Sequence, residues 1–171
     1  KRKWQPSVRT VPAYFDEPGY IEALAASVSE RLENETHQPS VVVASYHGVP
    51  KRFLEEGDPY YCQCRKTTRL LRERLGHAED EVVTAFQSKF GPEEWVGPAT
   101  VDKVAELARQ GHKSIAVLSP AFSADCVETL EEIEEEIRDA FMEAGGEHFI
   151  YIPCLNDRDD HIAVLADIVK R

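Results

Sequence analysis

The chain has 171 residues, 42% apolar and 30% charged, enough for one domain with a substantial buried core but too few for two full ones. Its net charge of −11 argues against non-specific nucleic-acid binding, because a phosphate backbone repels such a surface, yet leaves a cationic ligand such as a metal open. No apolar run reaches the length of a membrane span and nothing at the N-terminus reads as a signal peptide, so a cytoplasmic protein with at most peripheral membrane contact is expected.

The first residues, KRKWQPSVRTVP, are basic, proline-punctuated and poor in apolar side chains. They read as a connector, residues 1–16, from a preceding lobe, with one short strand around Val8 to Val11; the lack of an initiating methionine fits a fragment. Residues 17–171 then alternate strands and helices. Tyr20, Ile21, Leu24, Ala25, Val28 and Leu32 carry helical spacing, predicting a helix over about 17–33. Val41 to Ser45 is a β-branched run without polar alternation, as in a strand buried on both faces. Asp58 and Pro59 open the next helix as cap and first turn, and Gly76 ends it. A strand at Val82 to Phe86 precedes a helix capped by Thr100 and stopped at Gly111. A strand at Ile115 to Leu118 precedes a long acidic helix from about Asp125 to Ala144. A strand at Phe149 to Ile152 and a helix from about Asp159 to Lys170 complete the chain. Such alternation implies right-handed crossovers: a three-layer α/β Rossmann-like lobe, with a parallel sheet of about four strands covered by helices on both faces.

Ligands of such sheets bind outside the carboxyl ends of the strands. Those ends carry Tyr46-His47-Gly48, then Gln87-Ser88-Lys89-Phe90 with Trp95 beyond, and then Ser119 to Asp125. Imidazoles titrate near neutrality, so His47, set after a buried strand, is suited to accept a proton or to ligate a metal; the same residue could simply bond its loop backbone. Asp125, Glu128 and Glu132 stand at i, i+3 and i+7, which would put three carboxylates on one helix face as hard ligands for a divalent cation. A solvated helix surface is the alternative. Trp95, between Gly-Pro pairs, could stack on a flat ligand or cover the core edge.

Several chemistries lack their signatures. There is no GxGxxG, no GxxxxGK[ST] and no GxSxG, so nucleotide binding and serine hydrolysis gain no support. Cys62-Gln63-Cys64 lacks the spacing of a zinc site. Four thiols suffice in number for an iron–sulfur cluster, but they fall on separate elements, so reduced structural thiols are expected instead.

The segments SYHGVPKRFLEEGDPYYCQC, FQSKFGPEEWVGP, SPAFSADCVETLEEIEEE and YIPCLNDRDDHI are similar, in order and spacing, to consecutive motifs of the ferrochelatases. The likeness runs from about Pro12 to the end and is greatest to the proteobacterial protoporphyrin enzymes. The resemblance implies a lyase that inserts Fe2+ into protoporphyrin IX to form protohaem at the last step of haem biosynthesis, without an organic cofactor. It also implies two similar lobes closing on the porphyrin, of which this chain resembles the C-terminal one. It places the active-site histidine on His47, the catalytic glutamate on Glu128, further metal-path carboxylates on Asp125 and Glu132, and the porphyrin-contacting tryptophan on Trp95. Tyr46, Gly48 and Ser88, at the same strand ends, are expected to touch substrate. Some family members carry histidine at the position of Cys126, so the resemblance does not carry a metal-binding role over to that thiol. The porphyrin and metal contacts of the N-terminal lobe lie outside this chain, so the lobe alone is expected to be inactive. Two alternatives accompany this reading: a chelatase for coproporphyrin or another tetrapyrrole, and a non-catalytic metal- or tetrapyrrole-binding module.

Overall fold

A computed structural model describes residue 4 and residues 7–171. The described residues form helix α1 (Pro18–Glu33), strand β1 (Val41–His47), a short α2 (Lys51–Glu55), α3 (Tyr60–Leu75), β2 (Val82–Gln87), α4 (Thr100–Arg109), β3 (Ser114–Leu118), α5 (Val127–Leu130), a π-helical segment (Glu132–Ile137), α6 (Arg138–Glu143), β4 (His148–Ile152) and α7 (Asp159–Lys170). The sheet is parallel throughout, in the order β2-β1-β3-β4. The strand order therefore reverses direction between β1 and β3, and the ligand crevice of such a sheet opens at their carboxyl ends.

Strand periodicity sorts the core into two layers. Val42, Ala44 and Tyr46 of β1, with Ala116 and Leu118 of β3, join the cluster under α1 and α3. Val41 and Val43, with Ile115 and Val117, join the cluster under α4 and α6, which takes in Ile133, Ile137 and Phe141. Because neither sheet face meets water, the strands can be uninterrupted apolar runs. Alternation also decides where the polar end of β1 points. Ser45 and His47 share the face of Val43, toward α4 and α5, whereas Tyr46 turns to the α3 side.

Several expectations from sequence need correction. Residues 8–11 form no strand. Strand β1 runs on through Tyr46 and His47, which pair with Phe86 and Gln87, so His47 is the last residue of the strand rather than the first of a loop. Thr100 does not cap α4: it lies inside the helix, and its hydroxyl bonds Ser45 at 2.7 Å. The long acidic helix is broken into α5, the π-helical segment and α6. Asp125 precedes the helix, and the change from α to π winding intervenes between Glu128 and Glu132. The three carboxylates therefore do not share one helical face. The extra residue per turn of π winding lets Ile133 and Ile137 stay buried while Glu132 is turned toward Ser88. Helix α2 was not anticipated, since five residues after Pro50 offer no readable period. Helix α3 begins one residue later than expected, with Pro59 rather than Asp58 at its N-cap position, although the Asp58 carboxylate still accepts the Tyr60 N–H at 2.8 Å; Gly76 ends that helix in the left-handed conformation (φ 73°).

Candidate active site

The site is assembled from the ends of β1, β2 and β3 and the start of α5. His47, half-buried, closes β1. Its Nδ1 lies 2.8 Å from the Gly48 carbonyl oxygen. A carbonyl can only accept, so Nδ1 carries a proton, and Nε2 is the nitrogen this bond leaves over. The Tyr60 hydroxyl donates to the His47 carbonyl at 2.9 Å and fixes the main chain from the α3 side. Phe122, in the loop after β3, stands beside the imidazole with ring centroids 6.3 Å apart.

Glycine at position 48 is required by crowding. A Cβ there would meet the Gln87 carbonyl oxygen at 2.9 Å and the Trp95 ring at 3.0 Å. The Gly48 N–H donates to that same Gln87 carbonyl at 2.8 Å, and Pro50 pairs with Trp95 in an isolated antiparallel bridge. Trp95 is thus packed over Gly48, one residue from His47. Its indole N–H is buried without a partner among the described residues.

Glu128 lies in the first turn of α5. The Cys126 thiol beside it, its own main-chain N–H and then the charge of His47 when that ring is protonated hold its carboxyl below the ordinary glutamate value, so it stays ionised at neutral pH. Burial, and then the neighbouring Glu128 charge, push the Cys126 thiol up. The thiols of Cys64, raised to about 12, and Cys154 are raised chiefly by burial, so these three remain protonated. All four cysteines are free.

The other two predicted carboxylates are held by the protein itself. Asp125 accepts hydrogen bonds from Asn156 Nδ2 at 2.7 Å, from the Cys154 N–H at 3.1 Å and from the Tyr151 hydroxyl. Burial raises its carboxyl, but those three donors outweigh burial and hold it below the usual aspartate value. Glu132 accepts from the Ser88 N–H at 2.5 Å, the Ser88 hydroxyl at 2.6 Å and Gln87 Nε2 at 3.2 Å. Ser88 makes both bonds from a left-handed backbone (φ 62°), so its polar groups are committed to Glu132. Among the described residues, no three His, Cys, Asp or Glu side chains close around a common metal position.

Among the residues singled out from sequence, the structure gathers His47, Gly48, Ser88, Trp95, Glu128 and Glu132 at one edge of the sheet. Asp125 sits behind them, at the β4 end. Tyr46 is set apart: its side chain is buried in the α1–α3 core, with its hydroxyl 2.9 Å from Thr68 Oγ1. Strand alternation accounts for this, since neighbours on β1 face opposite layers. Four residues of the site were not singled out from sequence: Gln87, Phe122, Tyr151 and Asn156. Gln87 could have been found as a buried amide at a strand's carboxyl end. Tyr151, in contrast, reads as ordinary core.

A family model described as Ferrochelatase matches residues 1–171. The ferrochelatase of Rhodobacter capsulatus is 62% identical over 168 residues, covering 98% of this chain and 48% of the relative. Those of Rhizobium meliloti (strain 1021) and Rhizobium johnstonii are 53% and 54% identical, covering 100% and 99% of the chain and 50% and 49% of themselves. The chain spans about half the length of the curated relatives it matches.

Proposed function

Because this chain belongs to the ferrochelatase family, we propose that it forms half of an active site inserting Fe2+ into protoporphyrin IX to give protohaem, the last step of haem biosynthesis. The reaction replaces two pyrrole N–H bonds with bonds to the metal and releases two protons. In enzyme class it would be a lyase forming nitrogen–metal bonds, working in the cytoplasm without an organic cofactor or a cluster.

One observation carries the reading. At the sheet's carboxyl edge, an imidazole with its Nδ1 bonded to the Gly48 carbonyl, and so with Nε2 not used in that bond, stands within electrostatic reach of ionised Glu128. A proton acceptor and a compensating negative charge in one cleft suit a step that strips protons from a ring while a cation arrives. His47 would take pyrrole protons or pass the iron, and Glu128 would balance the positive charge. Asp125 and Glu132, each held by neighbouring donors, would extend negative charge behind Glu128 as a path for protons or Fe2+. Trp95 would border the porphyrin. Bending of the macrocycle, which exposes nitrogen lone pairs, needs a second wall and so the other lobe.

Among the described residues no helix is long and apolar enough to cross a membrane. The exposed Phe90, Val127 and Leu130, on the segments that follow β2 and β3, support peripheral contact with a membrane surface as a source of apolar porphyrin.

The test is Fe2+ insertion into protoporphyrin by a polypeptide carrying both halves. His47→Ala and Glu128→Gln should each abolish most haem formation, and a His47→Ala protein that forms haem at the wild-type rate overturns the assignment. Half-length coverage of the relatives favours a second reading for the isolated lobe, as a module that binds porphyrin or metal without joining them. Absorbance titration of the chain with protoporphyrin decides it, since tight binding without metallation is the signature of such a module.

A further inference from the structure

Beneath the candidate site lies a set of buried polar side chains that a parallel sheet does not require. Ser45 and Thr100 are fully buried, and Gln87 and Ser119 nearly so. Burying such groups is unfavourable unless each finds a partner, and here every one does.

The bonds have a direction. The Ser45 hydroxyl donates to Gln87 Oε1 at 2.8 Å, and the Ser119 hydroxyl approaches the same oxygen at 3.4 Å. Since the single Ser45 proton goes to Gln87, the Thr100 hydroxyl, 2.7 Å away, must donate to Ser45. With Oε1 facing two hydroxyls, the Gln87 amide nitrogen faces the other way. It lies 2.6 Å from the Glu128 main-chain carbonyl and 3.2 Å from the Glu132 carboxylate. Both of those groups are acceptors, so the amide orientation is determined from both ends.

The Gln87 backbone faces the other half of the site. Its carbonyl accepts the Gly48 N–H at 2.8 Å, and in the sheet register Gln87 pairs with His47. One residue thus holds His47 through its main chain and Glu128 through its side chain. Glu128 lies in the first turn of the helical run that continues through the π-helical segment into α6, and the winding changes just after it, so the Gln87 bond to its carbonyl is an anchor from outside the run. Resting on the metal-insertion reading, we infer that Gln87 is a positioning residue that sets the separation of His47 and Glu128. The buried hydroxyls of Ser45, Thr100 and Ser119 act as the brace that orients its amide.

The test replaces Gln87 by methionine, of similar length but without donor or acceptor, in a polypeptide carrying both halves. Misplacing a reacting group by about 1 Å costs roughly 10²-fold, so kcat for Fe2+ insertion should fall by about that factor. The KM for porphyrin should stay unchanged, because Gln87 is buried and its side-chain oxygen and nitrogen are bonded within the protein. In a crystal structure of Gln87→Met, the start of α5 should lie farther from β2 while the β1–β2 register persists. Wild-type kcat in Gln87→Met, or a lower kcat with Glu128 unmoved, overturns the inference. Should Gln87→Met fail to fold, Gln87→Glu keeps the acceptors that Ser45 and Ser119 need but has no amide N–H to give. It should show the same kcat loss at unchanged KM, and wild-type kcat in that variant is equally fatal. If the unsubstituted protein inserts no metal, the functional reading fails instead, and the crystal structure alone decides the role of Gln87.

Discussion

Asp125 and Asn156 hold each other reciprocally: the Asn156 amide donates to the Asp125 carboxylate at 2.7 Å, while its oxygen accepts the Asp125 N–H at 2.9 Å. The pair joins the loop after β3 to the loop after β4. Asn156 adds a third tie through its own N–H, which donates to the Ser123 carbonyl at 3.0 Å. These loops carry the approach to α5, so the pair stabilises the ground on which Glu128 stands.

Asn156 makes these bonds from a left-handed backbone (φ 48°), which separates two contributions experimentally. Asn156→Gly should lose only the side-chain bonds, about 1–3 kcal/mol, while Asn156→Ala should cost about 1 kcal/mol more for the backbone. Urea denaturation of the two variants beside the parent measures both values. Equal midpoints for Ala and Gly would show that the backbone conformation contributes nothing.

Asp125 should also give the chain an acid-sensitive component. Its folded carboxyl titrates below the unfolded value of about 3.9, so the stabilisation is present above that pH and is lost as pH falls through the folded value. Asp125→Asn should therefore be less stable than the parent at pH 7, with the difference shrinking below about pH 4. Denaturation midpoints across that range provide the check, and a difference independent of pH would contradict the assignment.

Gly48→Ala should disturb two groups at once, since the new Cβ meets the Gln87 carbonyl and the Trp95 ring. Overpacking of this kind costs about 1–3 kcal/mol. Displaced Trp95 should enter a more polar environment, with a red-shifted tryptophan emission. Unchanged stability and emission together would mean that the loop yields freely.

Tyr60→Phe removes the hydroxyl that holds the His47 carbonyl from the α3 side. Loss of one such bond should cost about 1 kcal/mol of stability. In the two-lobed protein, haem formation should fall as well, because the end of β1 is then anchored only through β2 and Gly48. An unaltered rate with reduced stability would confine Tyr60 to a structural role.

Much of this architecture can be read along the chain, for a definite reason. The runs Val41–Ser45 and Ile115–Leu118 are apolar without alternation, and only strands covered on both faces look like that. Helix spacing between them then leaves a parallel, doubly covered sheet as the consistent arrangement. His47, Gly48, Ser88, Trp95 and Glu128 followed from the same logic, since strand ends can be located from sequence and ligands collect there. The four ordered motifs assigned a chemistry to that edge.

Other features depend on partners far along the chain. Ten residues after Leu118 the acidic run looks like one helix, because winding there is decided by contacts with Gln87 and Ser88, about forty residues earlier. Tyr46 adjoins His47 in sequence yet lies in the opposite layer, a consequence of sheet alternation once β1 extends to its seventh residue. Gln87 reads as one polar residue among several until Ser45, Ser119 and Glu128 surround it. Sequence by itself determined the layered α/β class, the edge where chemistry belongs, and the candidacy of His47 and Glu128, all of which depend on local periodicity and motif order. Tertiary structure alone decided that Asp125 and Glu132 are carboxylates already held by the protein, and that Gln87 stands between the two central residues. Hydrogen-bond partners of buried polar groups are set by which strands lie side by side, and no local pattern carries that information.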